Sequence, residues 1–262
     1  MIFSKEHIKK SFPRAATCLS YLRHRSPAKL VRMSGGECSS LVQSIRKYGY
    51  VLRPDFLSRS ACDAMRSRIQ ALMEQQEEQI QIRSDKRFFG IEKFDQEIMA
   101  FHLNSEAQKI ASAVNLAPSS AAFTLAGWLN TVDGSSGEGW HRDGFLSQFK
   151  AMVYLTDVGE DNGPFEILEK SHQLRHILRD MGAADLDFSQ YRLPDEQVRI
   201  LIDKGYYQPR LLTAKAGTLV YFDSSSIHRG SPMKAGERMS LTTYFFENTR
   251  IGPELFRQFN MT

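Results

Sequence analysis

The segment Trp140-His141-Arg142-Asp143 places two metal-binding side-chain types close together in the chain. One residue separates His141 from Asp143, so on an extended chain both side chains project to the same side and can reach one ion. The spacing alone is weakly specific, because chance gives a His-x-Asp in roughly one of three chains with this many His and Asp residues. A metal site therefore needs a further ligand elsewhere in the sequence.

The C-terminal half supplies such a ligand. His228 follows the predicted strand 218–222, and Arg238 and Ser240 begin the last predicted strand. Two His and one carboxylate form the facial triad of non-haem Fe(II) enzymes, which leaves three coordination positions open. A 2-oxo acid can occupy two of these positions and oxygen the third, while an Arg suits the far carboxylate of such a cosubstrate. Ser240 shares the face of Arg238 and can add a hydrogen bond.

Apolar periodicity predicts helices in the first part of the chain and short strands from residue 121 onwards. Helices are predicted at 39–48, about 59–79 with Ser58 as N-cap, and 105–114, and a short strand at 50–52. Further strands are predicted at 121–132, 148–158, 163–168, 210–214, 218–222 and 238–246. This order indicates a mainly β domain with helices packed outside an antiparallel double sheet. The segment 172–209 interrupts the strands and is predicted to be a lid or substrate-shaping insertion, or else disordered.

Length and composition describe an ordinary folded domain. The chain has 262 residues, of which 42% are hydrophobic and 24% charged, and this excludes wholesale disorder. It contains no apolar stretch of the roughly 18 to 20 residues that a membrane-spanning helix needs. The net charge of +4 is too small to indicate nucleic-acid binding.

The basic residues are concentrated at the N-terminus. Residues 1–35 hold eight basic side chains and one acid, which is typical of a solvated helical extension or of an organelle transit peptide. We therefore expect a basic helical extension at 1–39 and a single domain at 40–262, with an insertion at about 172–209. The three cysteines, Cys18, Cys38 and Cys62, have no CxxC spacing. They argue against a disulfide framework and predict a reducing, cytoplasmic location.

The chain also contains an ordered series of short motifs. They are Gly139-Trp140-His141-Arg142-Asp143, Val153-Tyr154-Leu155-Thr156-Asp157, Asp161-Asn162-Gly163-Pro164-Phe165, Lys170-Ser171-His172, Ala216-Gly217-Thr218-Leu219-Val220 and His228-Arg229-Gly230-Ser231-Pro232, followed by Arg238. In this combination, over roughly residues 40–247, the sequence resembles the phytanoyl-CoA dioxygenase family of Fe(II)- and 2-oxoglutarate-dependent oxygenases. Lys170 stands where that family usually has Gly. The resemblance implies a double-stranded β-helix core, which is a cupin-like jelly roll, with flanking helices.

The resemblance also implies the roles of individual residues. His141, Asp143 and His228 would be the catalytic iron ligands, and Arg238 would bind the C5 carboxylate of 2-oxoglutarate. Further cofactor contacts are expected among Ser240, Asn130, Lys150, Tyr154 and Thr156. The implied reaction uses O2 to hydroxylate an unactivated C–H bond of a small molecule, with release of succinate and CO2. Desaturation, epoxidation and ring chemistry stay open, whereas Asp143 argues against halogenation, because halogenating relatives have Gly or Ala at this position.

Two other classes of function share part of this pattern. A cupin isomerase or hydrolase with Zn or Mn would keep the His and Asp ligands but would not need Arg238 and Ser240. A non-catalytic binding module would hold metal without turning over 2-oxoglutarate. The substrate class stays open among acyl thioesters, amino acids, sugars and secondary metabolites, and so does the oligomeric state.

Overall fold

The described strands form two antiparallel sheets. The computed structural model describes residues 37–187 and 190–261. In chain order the strands are β1 (Tyr50–Arg53), β2 (Ile80–Ile82), β3 (Lys86–Phe89), β4 (Ser119–Leu129), β5 (Phe149–Tyr154), β6 (Phe165–Leu168), β7 (Pro209–Leu212), β8 (Leu219–Asp223), β9 (His228–Gly230) and β10 (Arg238–Glu247). One sheet has seven strands in the order β1-β8-β5-β10-β4-β3-β2, and the other has three in the order β7-β6-β9.

Strand β10 is the centre of the large sheet. It pairs with β4 from Arg238 opposite Leu129 onwards, and on its other side with β5, where Ser240 lies opposite Tyr154. Because successive side chains of a strand point to opposite faces, one face of β10 is apolar and the other carries polar groups. The apolar face includes Met239, Leu241 and Phe245, which belong to the main hydrophobic core.

Helices cover the apolar face of the large sheet. The described helices are α1 (Glu37–Tyr48), α2 (Arg59–Gln75), α3 (Gln96–His102), α4 (Ser105–Asn115), α5 (Leu174–Ala183), α6 (Asp195–Asp203) and α7 (Pro253–Gln258), with short 3-10 turns at Glu77–Gln79, Ile91–Phe94 and Asn248–Arg250. Ile45, Ile69 and Ile110, from α1, α2 and α4, pack against the sheet in one core. The predicted arrangement of helices outside an antiparallel double sheet is therefore confirmed. No described helix combines the length and apolarity needed to cross a membrane.

Some element boundaries differ from the sequence prediction. Helix α2 begins where Ser58 accepts a hydrogen bond from the Ala61 amide at 3.2 Å, as expected for an N-cap. It ends at Gln75 rather than near residue 79, because Gln76 leaves the helical conformation with φ −124° and ψ 45°. The strands β2, β3 and β9 and the helices α3 and α7 were not predicted. The strand β3 has no apolar alternation of its own and exists through its pairing with β4.

The segment between β6 and β7 forms the helices α5 and α6. Their apolar residues, including Val198 and Leu201, join a separate core with Trp140, which immediately precedes the His-x-Asp motif. The backbone of this segment also pairs with the motif, because the Leu193 amide donates to the Trp140 carbonyl at 2.9 Å. The insertion is thus packed directly onto the loop that carries the candidate metal ligands. The predicted basic extension lies almost entirely outside the described residues and, like the domain boundaries, stays a prediction.

Candidate active site

A cavity of about 380 Å³ opens between the two sheets. Its walls include the polar face of β10, parts of β3, β4, β5 and β8 from the large sheet, and β9 from the small sheet. Among the predicted site residues, the lining includes His141, Asp143, Lys150, His228, Arg238 and Ser240. Two sheets that face each other therefore bring together residues almost a hundred positions apart in the sequence.

The three predicted metal ligands meet at one end of this cavity. His141, Asp143 and His228 each offer a ligand atom, and these atoms all lie within 4.8 Å of one another. His141 and His228 are joined by two reciprocal backbone hydrogen bonds of 2.9 Å, in an isolated antiparallel bridge. The Asp143 amide donates to the Ser224 carbonyl at 3.0 Å. Backbone hydrogen bonds therefore hold the loop of His141 and Asp143 against the start of β9, which carries His228.

The protonation of the two imidazoles suits metal ligation. Nδ1 of His141 lies 2.9 Å from the Gly139 carbonyl, and Nδ1 of His228 lies 2.8 Å from the Ser226 carbonyl. Because a carbonyl only accepts, both Nδ1 atoms carry the proton and both Nε2 atoms keep a free lone pair. Burial lowers the pKa of His141, and it lowers the pKa of His228 to about 3. Both rings are therefore neutral near pH 7, as metal ligation requires.

Lys150 holds the third ligand. Its Nζ forms an ion pair with Oδ2 of Asp143, while Oδ1 of the same carboxylate lies 3.7 Å from Nε2 of His141. The ammonium also lies 3.8 Å from the centre of the Tyr244 ring. Burial by itself would raise the pKa of Asp143, but Lys150 and the two imidazoles lower it well below its usual range. One carboxylate oxygen is thus paired with lysine, and the other is turned towards the histidines.

Arg142, between the two ligands of the motif, is a buried link to the neighbouring segments. Its Nη1 donates to the carbonyls of Ser171 and Ser225, both at 2.6 Å, and its Nη2 lies 3.3 Å from Asp180 of α5. The Tyr207 hydroxyl donates to the same Asp180 oxygen at 2.6 Å. The guanidinium therefore ties the His-x-Asp loop to the loop before β9 and to the insertion.

Arg238 and Ser240 lie further along the cavity, at the start of β10. Both side chains are buried. The Arg238 Nη1 donates to the Gly163 carbonyl, whereas its Nε has no hydrogen-bond partner in the part of the chain that the structure describes. Within 37–187 and 190–261, no carboxylate forms an ion pair with Arg238. Because an unpaired buried charge is costly, this guanidinium is suited to an anionic ligand that enters the cavity.

Three predicted cofactor contacts do not line the cavity. Asn130 is exposed just beyond the end of β4. The Tyr154 hydroxyl donates to the Leu212 carbonyl at 3.0 Å inside a hydrophobic core, and Thr156 Oγ1 accepts from the Met239 amide at 3.1 Å. Parity along a strand indicates which face a side chain occupies, but it does not indicate how far along the strand the cavity extends.

The lining also contains residues that the sequence reasoning did not select. Thr242 and Tyr244 continue the polar face of β10 after Arg238 and Ser240. The alternation of side chains along the predicted strand already places these two residues on the face of Arg238 and Ser240. Arg87 of β3 had no such signal, because its strand was not predicted.

Comparison with known sequences identifies the family. The profile of the family described as phytanoyl-CoA dioxygenase (PhyH) matches residues 45–240. The chain belongs to this family. The resemblance predicted from the sequence motifs is therefore confirmed.

Two relatives match this member of the phytanoyl-CoA dioxygenase family in sequence over shorter segments than the family profile does. An ectoine dioxygenase of Bordetella bronchiseptica is 30% identical over 100 residues, which are 35% of this chain and 32% of that protein. The L-proline trans-4-hydroxylase of Streptomyces griseoviridis is 31% identical over 127 residues, 40% of this chain and 44% of that protein. The chain thus matches less than half the length of either relative.

Solved structures resemble the fold over more than four fifths of the chain. A crystal structure of EctD from S. alaskensis with 2-oxoglutarate and 5-hydroxyectoine has a TM-score of 0.65 at 12% identity, covering 86% of this chain and 82% of that chain. A non-haem α-ketoglutarate-dependent carbocyclase, SnoK from nogalamycin biosynthesis, has a TM-score of 0.62 at 16% identity and covers 88% and 95%. At such low identities these likenesses establish the fold, and the predicted jelly roll with flanking helices is confirmed.

Proposed function

We propose that the protein is an Fe(II)- and 2-oxoglutarate-dependent oxygenase that hydroxylates an unactivated C–H bond of a small molecule. One observation carries this proposal. A single cavity holds a His-Asp-His cluster, with ligand atoms within 4.8 Å of one another, and the buried Arg238, which forms no ion pair with any described carboxylate. The cluster provides for a metal and the arginine for the far end of a dicarboxylic cosubstrate.

The donor set of the cluster suits Fe(II). His141 and His228 would bind through Nε2 and Asp143 through one carboxylate oxygen, which is the two-His, one-carboxylate set of non-haem iron oxygenases. When bound, Fe(II) with 2-oxoglutarate and O2 would supply oxidative decarboxylation to succinate and CO2, together with hydroxylation of the substrate. Lys150 supports this role by keeping the second oxygen of Asp143 occupied.

The remaining residues would bind the cosubstrate and exclude water. Arg238 would pair with its C5 carboxylate, and Ser240 would donate a hydrogen bond from the same face of β10. Phe165 and Phe222 enclose the His228 ring, with ring centres 5.2 and 5.8 Å from it. These apolar walls restrict the orientation of the imidazole and lower the local dielectric around the metal end.

The relatives support a small-molecule substrate. An ectoine dioxygenase and an L-proline trans-4-hydroxylase act, by their names, on small molecules, and we infer a substrate of comparable size for this chain. We also infer a reducing, cytoplasmic location. Cys38 and Cys62 are free thiols, as expected in such a compartment.

The proposal is tested by sequential binding without oxygen. Purified protein is titrated with Fe(II) and then with 2-oxoglutarate in a calorimeter, and succinate release is measured after oxygen is admitted. We expect one Fe(II) per chain, followed by saturable 2-oxoglutarate binding and iron-dependent succinate formation. Iron binding without any 2-oxoglutarate binding would overturn the proposal and favour a cupin isomerase, hydrolase or binding module.

A further inference from the structure

The C-terminal segment, residues 248–261, forms one wall of the cavity at its metal end. It follows β10 directly and contains the 3-10 turn Asn248–Arg250 and the helix α7. Four of its residues line the cavity, namely Arg250, Gln258, Phe259 and Asn260. The segment therefore borders the same space as the predicted metal ligands, although the family motifs identified in the sequence end before it.

The order of residues along β10 places this wall on the side of the metal ligands that faces away from Arg238. The Nζ of Lys150 pairs with Asp143 and lies 3.8 Å from the centre of the Tyr244 ring, so Tyr244 marks the level of the metal ligands on β10. Arg238 lies six residues before Tyr244, roughly 20 Å along the strand, and the C-terminal segment begins after it. A cosubstrate that extends from the metal towards Arg238 leaves the opposite side for the substrate.

The wall on this side is aromatic. The ring centre of Phe259 lies 5.5 Å from that of Phe89 and 5.7 Å from that of Tyr244, and all three residues line the cavity. Beneath them, Phe123 of β4 lies 4.6 Å from Phe259, between ring centres. The Nε2 of Gln81 donates to the Phe259 carbonyl at 2.8 Å and so ties the segment to β2. A formed apolar surface beside the metal ligands suits the apolar body of a small-molecule substrate.

Arg250 adds a positive charge to this wall. Its guanidinium carbon lies 5.3 Å from the centre of the Phe246 ring, and Phe246 packs with Leu255 of α7 in one apolar cluster. The aromatic contact holds the guanidinium without using its N–H donors. Among the described residues, Arg250 has no carboxylate within ion-pair distance and no side-chain hydrogen bond. Its donors are therefore available to a ligand in the cavity.

Most arginine and lysine side chains of the cavity lining already have acidic partners. The pairs are Lys150 with Asp143, Arg87 with Asp85, and both Arg83 and Arg192 with Glu138. Of the two that remain, Arg238 is assigned above to the cosubstrate. Arg250 is thus the cation on the substrate side that has no acidic partner in the described part of the chain. One carboxylate on the substrate would neutralise it.

We propose that the substrate is a small organic acid whose carboxylate binds Arg250 and whose apolar body lies against Phe259. This inference rests on the proposed function, because it names the substrate class of the same site. A carboxylate carries one charge and matches a single arginine, whereas a phosphate carries nearly two charges and three acceptor oxygens. The cavity of about 380 Å³ also has to hold the cosubstrate, so the acid has to be small.

The experiment compares acids with their neutral amides. Hexanoate, 3-phenylpropionate and the two corresponding primary amides are titrated without oxygen into wild type loaded with Fe(II) and 2-oxoglutarate, and into the variants Arg250→Gln and Arg250→Lys. We expect the wild type to bind each acid more tightly than its amide. Arg250→Gln should weaken acid binding roughly 10-fold, which is the lower limit for one hydrogen bond to a charged group, and should leave amide binding unchanged. Arg250→Lys should recover part of the loss.

Two further variants separate the carboxylate contact from general effects on the segment. Arg257→Gln, at an exposed arginine of α7 that does not line the cavity, is the matched control and should bind the acids as wild type does. Phe259→Leu keeps an apolar side chain but removes the ring, so it should weaken binding of 3-phenylpropionate and its amide more than binding of hexanoate. The affinity for 2-oxoglutarate should be the same in all variants.

Three results would overturn the inference. They are equal affinity of the wild type for acids and amides, no binding of either acid, and the same loss of acid binding in Arg257→Gln as in Arg250→Gln. Each would leave the proposed function intact as long as the wild type binds Fe(II) and 2-oxoglutarate. Failure of the wild type to bind 2-oxoglutarate would instead overturn the proposed function itself.

Discussion

The two ends of the cavity are built in different ways. At the cosubstrate end, Arg238 and Ser240 lie on β10, which is hydrogen-bonded to strands on both sides. At the metal end, His141 and Asp143 lie outside the regular strands, and His228 begins a strand of only three residues. Strand register fixes the first end, whereas isolated backbone bridges fix the second.

The difference shows where each end obtains its rigidity. The opposite face of β10 packs Met239 and Leu241 into the main apolar core, so the cosubstrate end is stabilised by ordinary hydrophobic burial. The metal end depends on polar contacts, among them the ion pair of Arg142 with Asp180. We therefore expect substitutions at the two ends to separate metal binding, cosubstrate binding and stability.

The largest effect is expected at the metal end. Asp143→Ala should weaken Fe(II) binding by more than roughly a hundredfold, beyond the 10- to 100-fold loss typical of groups that only support a ligand. The circular dichroism spectrum should be unchanged, because the core does not depend on the site. Equilibrium titration with Fe(II) measures the loss, and Asp161→Ala, at an exposed acid paired with Lys234, is the control. Retention of stoichiometric iron in both His141→Ala and His228→Ala would contradict the assignment.

At the cosubstrate end, Arg238→Met should leave Fe(II) affinity unchanged. It should reduce 2-oxoglutarate binding by roughly 2 to 5 kcal/mol, mostly because the distal carboxylate would be buried unpaired. The free energy of unfolding of the ligand-free protein should rise, since the variant removes a buried charge that has no acidic partner among the described residues. Calorimetry and urea denaturation measure the two effects, with Arg238→Lys expected to recover part of the binding. Lower stability in Arg238→Met would show that the arginine is a structural residue.

Arg142→Met tests the link between the metal end and the insertion. It removes three hydrogen bonds and one partner of the buried Asp180, which keeps Arg179 and Tyr207. We expect the free energy of unfolding to fall by about 3 kcal/mol, at the lower end of the range for breaking a buried ion pair. Urea denaturation measures this change. Arg175→Met, at an exposed arginine of α5, the helix that carries Asp180, is the matched control. An equally small change in both variants would contradict the role of Arg142.

The smallest effect concerns acid sensitivity on the insertion. Burial and the charges of Arg179 and Arg175 lower the pKa of His176 of α5 to about 4. In the unfolded chain His176 binds a proton below about pH 6.5, whereas in the folded protein it binds one only below about pH 4. The free energy of unfolding therefore falls as the pH drops from about 6.5 to about 4. Above about pH 6.5 His176 contributes nothing to the pH dependence. His176→Gln should make the difference in unfolding free energy between pH 7 and pH 5 smaller, and an unchanged difference would contradict this reading.

The sequence predicted the cosubstrate end more fully than its surroundings. The alternation in β10 places Arg238 and Ser240 on one face, and the structure brings both to the cavity. The sequence pattern could not identify Arg87 as a cavity residue, because β3 is a strand only through its pairing with β4. The family usually has Gly at the position of Lys170. Lys170 has a φ of 68°, in the left-handed region that favours Gly, so the backbone of this turn keeps its conformation although the residue type differs.

The sequence by itself determined the local chemistry of this protein. It contained the ligand types, their spacing in the His-x-Asp motif, the alternation of the strands and the order of the family motifs, because these properties depend on near neighbours in the chain. Only the tertiary structure decided which side chains share the cavity. Arg142 became a buried link because α5 supplies Asp180, and Tyr154 lies in the core because β7 supplies an acceptor for its hydroxyl. Such pairings join residues distant in the chain, so no local pattern of residue types contains them.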